Sequence, residues 1–241
     1  MTVEEFVQSL AQHGIILNSM QIQQFERYFE LLIEWNSKIN LTAITDKKEV
    51  YLKHFYDSIL PLWEFPLENY DVKVCDVGAG AGFPSIPMKI IHPELNLTII
   101  DSLNKRINFL ESLRYELELE SIQLIHSRAE DAGQNPKYRG QFDLVMARAV
   151  AQLNVLSEFC LPLLAKGGSF LVLKGGYKQT EEELRIAQKA INILGAKIIE
   201  VKKTKLPFDE GERTIILMRK TLDTPKKYPR KAGKPAKLPI E

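Results

Sequence analysis

The sequence predicts an α/β protein in which a doubly wound, mostly parallel sheet of seven strands follows an N-terminal helical segment. From about residue 71 onward, short apolar runs alternate with stretches whose apolar residues recur at helical spacing. Before that point only helical spacing is found. Strands that are buried on both faces and separated by helices form parallel sheets, so we expect one such sheet here.

The N-terminal segment has the apolar pattern of packed helices. Asn18 can cap a helix whose apolar residues recur on one face from Ile22 to Ile39. A second apolar stretch covers 54–63, and 66–71 is the best boundary. The chain is thereby divided into a helical subdomain at 1–70, a sheet domain at 71–219 and a basic tail at 220–241.

Five strands are predicted to alternate with helices, and two more to follow them. The strands are placed at 72–76, 97–101, 122–126, 142–147, 169–173, 197–203 and 214–218, and the helices at 84–91, 107–117, 153–164 and 180–194. Thr180 and Glu183 have the spacing of a capping box at the start of the last helix. Because no helix separates the last two strands, the final strand is predicted to be antiparallel and to form a hairpin.

The composition favours a globular protein that is not embedded in a membrane. Hydrophobic residues make up 45% and charged residues 26% of the 241 residues. No apolar run approaches the roughly 20 residues that span a bilayer. Glu4 and Glu5 stand where a signal peptide needs basic residues. We therefore expect a cytoplasmic location.

Cysteine and histidine usage argues against a metal site. Cys75 and Cys160 lie far apart, and neither has a second cysteine or a histidine at metal-ligand spacing. The four histidines are scattered along the chain. The sequence predicts two reduced core thiols and no metal.

The net charge of +1 conceals a division of charge along the chain. Residues 219–241 hold eight basic and two acidic residues, net +6, whereas the rest holds 24 and 29, net −5. A basic, proline-containing tail after an acidic body indicates a polyanion-binding extension. Its prolines are expected to leave the lysines in an extended strip; a merely solvated tail is the alternative.

The loop after the first strand carries the first chemical signal. Asp76 leads three alternating glycines, Gly78, Gly80 and Gly82, which permit a tight turn and close approach of a ligand. Asp101 ends the second strand, where an acid can accept both ribose hydroxyls of an adenosine or cap a helix. Together with the terminal hairpin, these features are the arrangement of class I S-adenosylmethionine methyltransferases.

Two further strand ends contribute charged residues. Arg128 to Asp131 form the loop that lies along the adenine in such folds, or an exposed charged turn. Arg148 follows the fourth strand and is expected to face the mouth of the pocket. It could clamp the methionine carboxylate, hold an RNA phosphate or form a structural salt bridge.

The absence of two known motifs limits the class of methyl acceptor that this sequence predicts. Methyltransferases that act on the amines of nucleic acids carry Asn or Asp followed by Pro-Pro and an aromatic residue after the fourth strand, whereas this chain has Ala147 to Val150. Pyrimidine-carbon methylation needs a thiolate, and Cys160 lies in an apolar helical run. An acceptor that is already nucleophilic remains, such as N7 of guanine, for which orientation alone can be worth roughly 7 to 11 kcal/mol.

The sequence resembles the RsmG family (glucose-inhibited division protein B), the small-subunit ribosomal RNA guanine-N7 methyltransferases, over nearly its whole length. The resemblance rests on motifs spread along the chain: Trp35-Asn36, Asn40-Leu41-Thr42, His54-Phe55, Asp57-Ser58, 76–87, Asp101-Ser102, Lys105-Arg106, 127–130, 147–150, Leu173-Lys174-Gly175 and 228–233.

The resemblance implies methylation of guanosine 527, in the 530 loop of 16S rRNA, on the small subunit or its precursor, with S-adenosylmethionine as cofactor. The family's cofactor-contacting positions match Gly78, Phe83, Ala129, Glu130 and Arg148, to which the loop and adenosine arguments add Gly80 and Asp101. Arg148, Asn36 and His54 are candidates for positioning the substrate, and Asp57 matches a motif position without an assigned role. The candidate RNA contacts are Lys174, Lys226, Lys227, Arg230 and Lys231.

Two other functions compete with this interpretation. A nicotinamide-dependent dehydrogenase also needs a glycine loop and an acid on the second strand, but it would need a substrate domain where only a short basic tail remains. A ribosome-assembly factor could retain the fold without catalysing a reaction.

Overall fold

The computed structural model describes residues 1–66 and 71–241, so most of the predicted boundary at 66–71 lies outside the described residues. The helices are α1 Val3–Gln12, α2 Ser19–Ile39, α3 Lys47–Val50, α4 Asp57–Ile59, α5 Pro61–Glu64, α6 Ser85–Ile91, α7 Asn104–Glu116, α8 Ala129–Gln134, α9 Leu153–Cys160, α10 Tyr177–Ile193 and α11 Lys234–Lys237, and a π-helical stretch, Tyr51–Tyr56, joins α3 to α4. The strands are β1 Lys73–Val77, β2 Asn96–Asp101, β3 Ile122–His126, β4 Phe142–Arg148, β5 Leu164–Lys174, β6 Ala196–Lys205 and β7 Glu212–Lys220.

The seven strands form one sheet in the order β3-β2-β1-β4-β5-β7-β6. The first five are parallel, and β7 is antiparallel to both β5 and β6. The predicted doubly wound sheet with a terminal hairpin is therefore confirmed. The parallel strands end at one edge, which brings the chain after Val77, Asp101 and Arg148 together.

Between β4 and β5, the helix is shorter than predicted and strand β5 is longer than predicted. The helix predicted to reach residue 164 ends at Cys160, and β5 begins at Leu164 rather than 169. Pro162 lies in a 3₁₀ turn at Leu161–Leu163 and lacks the backbone N–H that a continued helix would need.

Buried side chains cover both faces of the sheet. The N-terminal helices share one core with one face, where Tyr28 donates a hydrogen bond at 2.5 Å to the carbonyl of Ala81 in the glycine loop. Helices α9 and α10 cover the other face together with residues that include Cys75 and Cys160, both free and buried as predicted. The first 66 residues thus help to shape the edge where β1 ends.

Two cap predictions have different outcomes. Asn18 caps α2 and forms a capping box with Gln21, as expected for its start. The box predicted from Thr180 and Glu183 is wrong, because α10 begins three residues earlier, at Tyr177. Thr180 donates to the carbonyl of Gly176 inside the first turn, which leaves Glu183 free to bond elsewhere.

The tail does not form the extended strip that its prolines suggested. Arg139 donates to the carbonyls of Tyr228 and Thr224, at 2.7 Å each, and so fastens the tail to the body. Arg230 places its guanidinium on Glu158 of α9, with Nη2 2.6 Å from Oε2. These contacts fold the tail onto α8 and α9: Arg139 donates to carbonyls of the tail, and Arg230 of the tail donates to the buried carboxylate of Glu158.

No helix among residues 1–66 and 71–241 has the length and apolar character to cross a membrane. The same residues contain no cluster of three or more histidine, cysteine or acidic side chains arranged to hold a metal ion.

Candidate functional site

The glycine loop after β1 adopts a backbone conformation that favours glycine. Gly78 has φ +73° and Gly80 has φ +61°, in the left-handed region. A Cβ on Gly78 would lie 2.9 Å from a methyl group of Val150, whereas a Cβ on Gly80 would meet nothing within 4 Å. Gly78 therefore packs against the loop after β4, and Gly80 faces open space that a ligand can approach.

Asp76 lies fully buried beneath this loop. Its Oδ2 accepts a hydrogen bond from the backbone N–H of Ser85 at 3.2 Å, but its Oδ1 has no partner among the described residues. Burial raises the pKa of Asp76 to about 7, against the lowering effect of its bonds to Ser85. This unpaired oxygen is the clearest unsatisfied acceptor beneath the loop.

Asp101 closes the loop from the neighbouring strand. Its Oδ2 accepts from the N–H of Gly80 at 3.1 Å, and its Oδ1 accepts from the N–H of Leu103 at 2.9 Å. Arg106 lies 3.5 Å from the same carboxylate. The bond to Leu103 lies just before α7 and is not a cap on the helix, whose first N–H groups receive no side-chain acceptor, so the helix-cap alternative for Asp101 is wrong.

Ala129 and Glu130 are the first residues of the short helix α8, and not of a loop as predicted. The Glu130 side chain is buried, and its Oε1 accepts from the N–H of Gly233 in the tail at 2.8 Å. The side chain of Glu130 thus joins this edge of the sheet to the basic tail.

Arg148 ends β4 and lies in a cluster that the linear sequence does not reveal. Its Nη1 donates to Oδ2 of Asp57 at 2.9 Å, while Nε of Arg213 from β7 donates to Oδ1 at 2.6 Å. Asp57 is only 5% exposed. Two guanidinium groups therefore share one buried carboxylate, and the structural salt bridge considered for Arg148 is present.

His54 and Phe83 flank Arg148. The His54 ring stacks on Phe83 at 4.6 Å between centroids, and the Arg148 guanidinium lies 4.9 Å from the same ring. Burial, together with the nearby charge of Arg148, lowers the pKa of His54 to about 3. The imidazole is accordingly neutral at physiological pH.

A hydrogen-bonded chain connects His54 to α2. Nδ1 of His54 lies 3.5 Å from Arg148, a group with donors only, so the ring hydrogen belongs on Nε2, 2.8 Å from Oγ1 of Thr42. Asn36 accepts from the backbone N–H groups of Leu41 and Thr42, at 2.6 and 2.8 Å. Asn36 thereby holds Thr42 in place and acts on His54 only indirectly.

The depressed pKa of His54 predicts a pH dependence of stability. Between pH 6.5 and about 3 the unfolded chain binds a proton at His54 that the folded chain does not. The contribution of His54 to the free energy of unfolding should therefore fall as the pH drops below 6.5, by up to about 1.4 kcal/mol per pH unit, while the raised pKa of Asp76 acts in the opposite direction below pH 7. Urea unfolding at pH 7 and pH 5 measures this: on going to pH 5, the wild-type protein should lose more stability, or gain less, than His54→Gln, in which only the contribution of His54 is removed. Equal changes in both proteins would contradict a neutral His54.

Comparison with known proteins identifies the family. The family model described as rRNA small subunit methyltransferase G matches residues 21–216. The chain belongs to this family. The ribosomal RNA small subunit methyltransferase G of Lactococcus lactis subsp. lactis (strain IL1403) is 60% identical over 241 residues, covering 100% of both chains. That of Bacillus velezensis is 55% identical with the same coverage.

Solved structures support the fold alone. The ribosomal protein L11 methylase of Lactobacillus delbrueckii subsp. bulgaricus superposes with a TM-score of 0.52 at 16% identity, over 70% of this chain and 79% of that one. A precorrin-6y C5,15-methyltransferase from Geobacter metallireducens gives 0.51 at 14%, over 68% and 87%. The class I methyltransferase fold is thereby confirmed. The family membership, and not the fold, makes the dehydrogenase alternative wrong.

The family's cofactor, S-adenosylmethionine, fits the edge where β1 and β2 end. The space beside Gly80 and the carboxylate of Asp101, which accepts from the N–H of Gly80, lie there above the buried Asp76. The cofactor carries an ammonium group and ribose hydroxyls, which need acceptors, and a carboxylate, which needs donors. The chain offers acceptors at the first two strands and guanidinium donors at β4.

The predicted site residues separate into two groups. Gly78, Gly80, Phe83, Asp101, Arg148 and His54 gather at the carboxyl edge of the sheet, whereas Lys226, Lys227 and Lys231 are exposed on the tail. Sequence reasoning missed Arg213, which lies in none of the quoted motifs, and the role of Thr42. Thr42 is part of a quoted motif, so that motif was the available signal.

Proposed function

We propose that this protein transfers a methyl group from S-adenosylmethionine to N7 of a guanine in 16S rRNA of the small ribosomal subunit. The coarse part of this proposal is supported by family membership, since the relatives at 60% and 55% identity are named as methyltransferases of small subunit ribosomal RNA. The finer assignment to guanosine 527 in the 530 loop is supported by the sequence resemblance.

One observation carries the choice of N7. None of the described residues around Arg148 offers an accessible base or nucleophile: Asp57 is held by two guanidinium groups, and His54 is neutral with Arg148 on one side and Thr42 on the other. The unpaired oxygen of Asp76 is fully buried. Burial raises the thiol pKa values of Cys75 and Cys160 well above the ordinary value. An exocyclic amine or a pyrimidine carbon would need such a group, whereas the N7 lone pair does not.

Positioning is then the main task of the chain's own residues. S-adenosylmethionine, when bound, supplies a methyl group on a positively charged sulfur. Gly78 and Gly80 would let the backbone approach the cofactor, Asp101 would accept its ribose hydroxyls, and the backbone at Ala129 would lie along the adenine. Arg148, fixed by Asp57, would present donors to the carboxylate of the methionine part or to RNA.

The basic tail would supply electrostatic attraction to RNA. Lys226, Lys227 and Lys231 are exposed, and the tail lies over α8 beside the proposed adenine position. Arg230 was a candidate RNA contact in the sequence analysis, but we do not propose it here, because its guanidinium is bound to Glu158.

Neutralising the exposed tail lysines should change the salt dependence of RNA binding. With Lys226, Lys227 and Lys231 all changed to Gln, the slope of log K against log salt should flatten by roughly two to three units if each contacts a phosphate. Affinity for S-adenosylmethionine should stay within twofold, as measured by calorimetry.

A matched control carries the same charge change away from the tail. Lys73 and Lys166 lie at the amino edge of the sheet and Lys189 lies on α10, and all three are exposed. Changing these three to Gln should leave the slope unaltered. Equal slopes for the tail variant and the wild-type protein would contradict a role of the tail in RNA binding.

Incubation with labelled S-adenosylmethionine and small subunits lacking the modification tests the proposed function. We expect one methyl group per 16S rRNA, recovered as 7-methylguanosine, with strand cleavage by borohydride and aniline at the modified base. A methyl group on an exocyclic amine or a pyrimidine carbon would overturn the choice of N7. Binding to the subunit without transfer would favour the assembly-factor alternative.

A further inference from the structure

Lys174 ends β5 at the same edge as Arg148, but its ammonium group is turned toward the protein. Its Nζ donates to the carbonyl of Ala151 at 2.7 Å and lies 2.6 Å from Oε2 of Glu183. The Lys174 side chain is only 11% exposed. A lysine that binds RNA phosphate needs a free ammonium group, and this one is already engaged.

Glu183 projects from α10 and completes the connection. Its Oε2 also accepts from the backbone N–H of Leu153, at 2.9 Å, where α9 begins. The residue that precedes α9, Gln152, provides no side-chain cap. Glu183 therefore supplies from another helix the acceptor and negative charge that a helix start favours.

The segment held in this way is the loop between β4 and α9, residues 149–152. Ala149 follows Arg148 directly and has φ +55°, a conformation that L-residues rarely adopt. Val150 packs against the backbone of Gly78 in the glycine loop. This loop therefore touches the Arg148 cluster at one end and the glycine loop through Val150.

We infer that Lys174 and Glu183 are positioning residues for methyl transfer, which fix the loop between β4 and α9, and that Lys174 is not an RNA contact. The inference rests on the proposed function. Loss of either side chain would free a loop that holds a non-glycine residue at positive φ, and Arg148 and Gly78 would lose their fixed spacing. Small misplacements of this kind reduce turnover far more than substrate affinity.

Steady-state kinetics with small subunits as substrate test this inference. We expect Lys174→Met and Glu183→Ala each to lower kcat at least tenfold while the KM for the subunit changes less than threefold. Glu183→Gln should retain more activity than Glu183→Ala, because its amide oxygen can still accept both hydrogen bonds. The variant carrying both Lys174→Met and Glu183→Ala should have a kcat only slightly below that of the less active single variant, because both changes remove the same interaction.

The two roles of Lys174 give opposite results. If Lys174 bound phosphate, Lys174→Met would raise KM and reduce the salt slope by about one unit, and removal of the negative Glu183 would improve RNA binding. Either result would overturn the inference. The controls are Lys178→Met, an exposed lysine at the same edge, and Glu182→Gln, which removes an exposed ion pair with Arg185; both should leave kcat unchanged.

Two activity-independent measurements separate this inference from the proposed function. In Lys174→Met and Glu183→Ala, amide hydrogen exchange in a peptide covering residues 149–156 should speed up at least tenfold, and the Kd for S-adenosylmethionine should rise at least threefold. Unchanged exchange and cofactor affinity would overturn the inference. If the wild-type protein transferred no methyl group to rRNA, the proposed function would fail, and these two measurements would still decide whether the pair holds the loop.

Discussion

Replacing Arg230 with alanine is expected to destabilise the folded protein by about 3 to 5 kcal/mol, because Glu158 would remain as a buried carboxylate without a counter-ion. The carboxylate of Glu158 is 1% exposed and accepts from both the backbone N–H and the guanidinium of Arg230. Urea unfolding at neutral pH measures this loss directly.

The neighbouring Lys231 provides a matched control. Its side chain is exposed, so Lys231→Ala should change the free energy of unfolding by less than about 0.5 kcal/mol. Adding Glu158→Gln to an Arg230→Met background should recover much of the stability, since the charge is removed and the amide oxygen still accepts from the backbone. If Arg230→Ala were as mild as Lys231→Ala, the tail would not be anchored in this way.

Asp57→Asn is expected to reduce methyl transfer at least a hundredfold and to lower the free energy of unfolding by about 3 kcal/mol. Asp57 is the buried carboxylate between Arg148 and Arg213. An asparagine of the same shape would leave two guanidinium groups without a negative partner and would turn an NH₂ group toward one of them. Single-turnover transfer to small subunits and urea unfolding measure the two effects.

The control for Asp57 is an ion pair at the tip of the terminal hairpin. Asp209 is 87% exposed and lies 3.4 Å from Lys205, so Asp209→Asn should leave both activity and stability close to wild type. Normal transfer by a folded Asp57→Asn protein would show that Arg148 needs no fixed position.

The elements that sequence reasoning predicted are those with a local signal. Strand β2 is an apolar run that ends in Asp101, and such a run is expected for a strand buried on both faces. The cap at Asn18 and the glycine spacing after Asp76 are likewise readable within a few residues. One error occurred where a distant partner contributes: α8 was interpreted as a loop, although it packs beneath the tail.

In the candidate site, too, features with a local sequence signal were predictable and contacts with distant residues were not. The positions of the glycines and of Asp101 were predictable, because a tight turn favours glycine and the end of the apolar run marks the end of the strand. The contacts of Lys174 were not, because its partners Ala151 and Glu183 come from the β4–α9 loop and another helix. The same holds for Arg213, which reaches Asp57 across 156 residues of sequence.

The sequence by itself determined the order of strands and helices, the glycine loop and the excess of positive charge after residue 219, because apolar spacing, backbone freedom and charge are properties of the local chain. Only the tertiary structure decided which charges remain available for a ligand. Arg230 forms an ion pair with Glu158, and Lys174 forms one with Glu183, whereas Lys226 and Lys227 face solvent. The physical reason is that a carboxylate buried during folding needs a cation or hydrogen-bond donors, and packing, not sequence distance, decides which group supplies them.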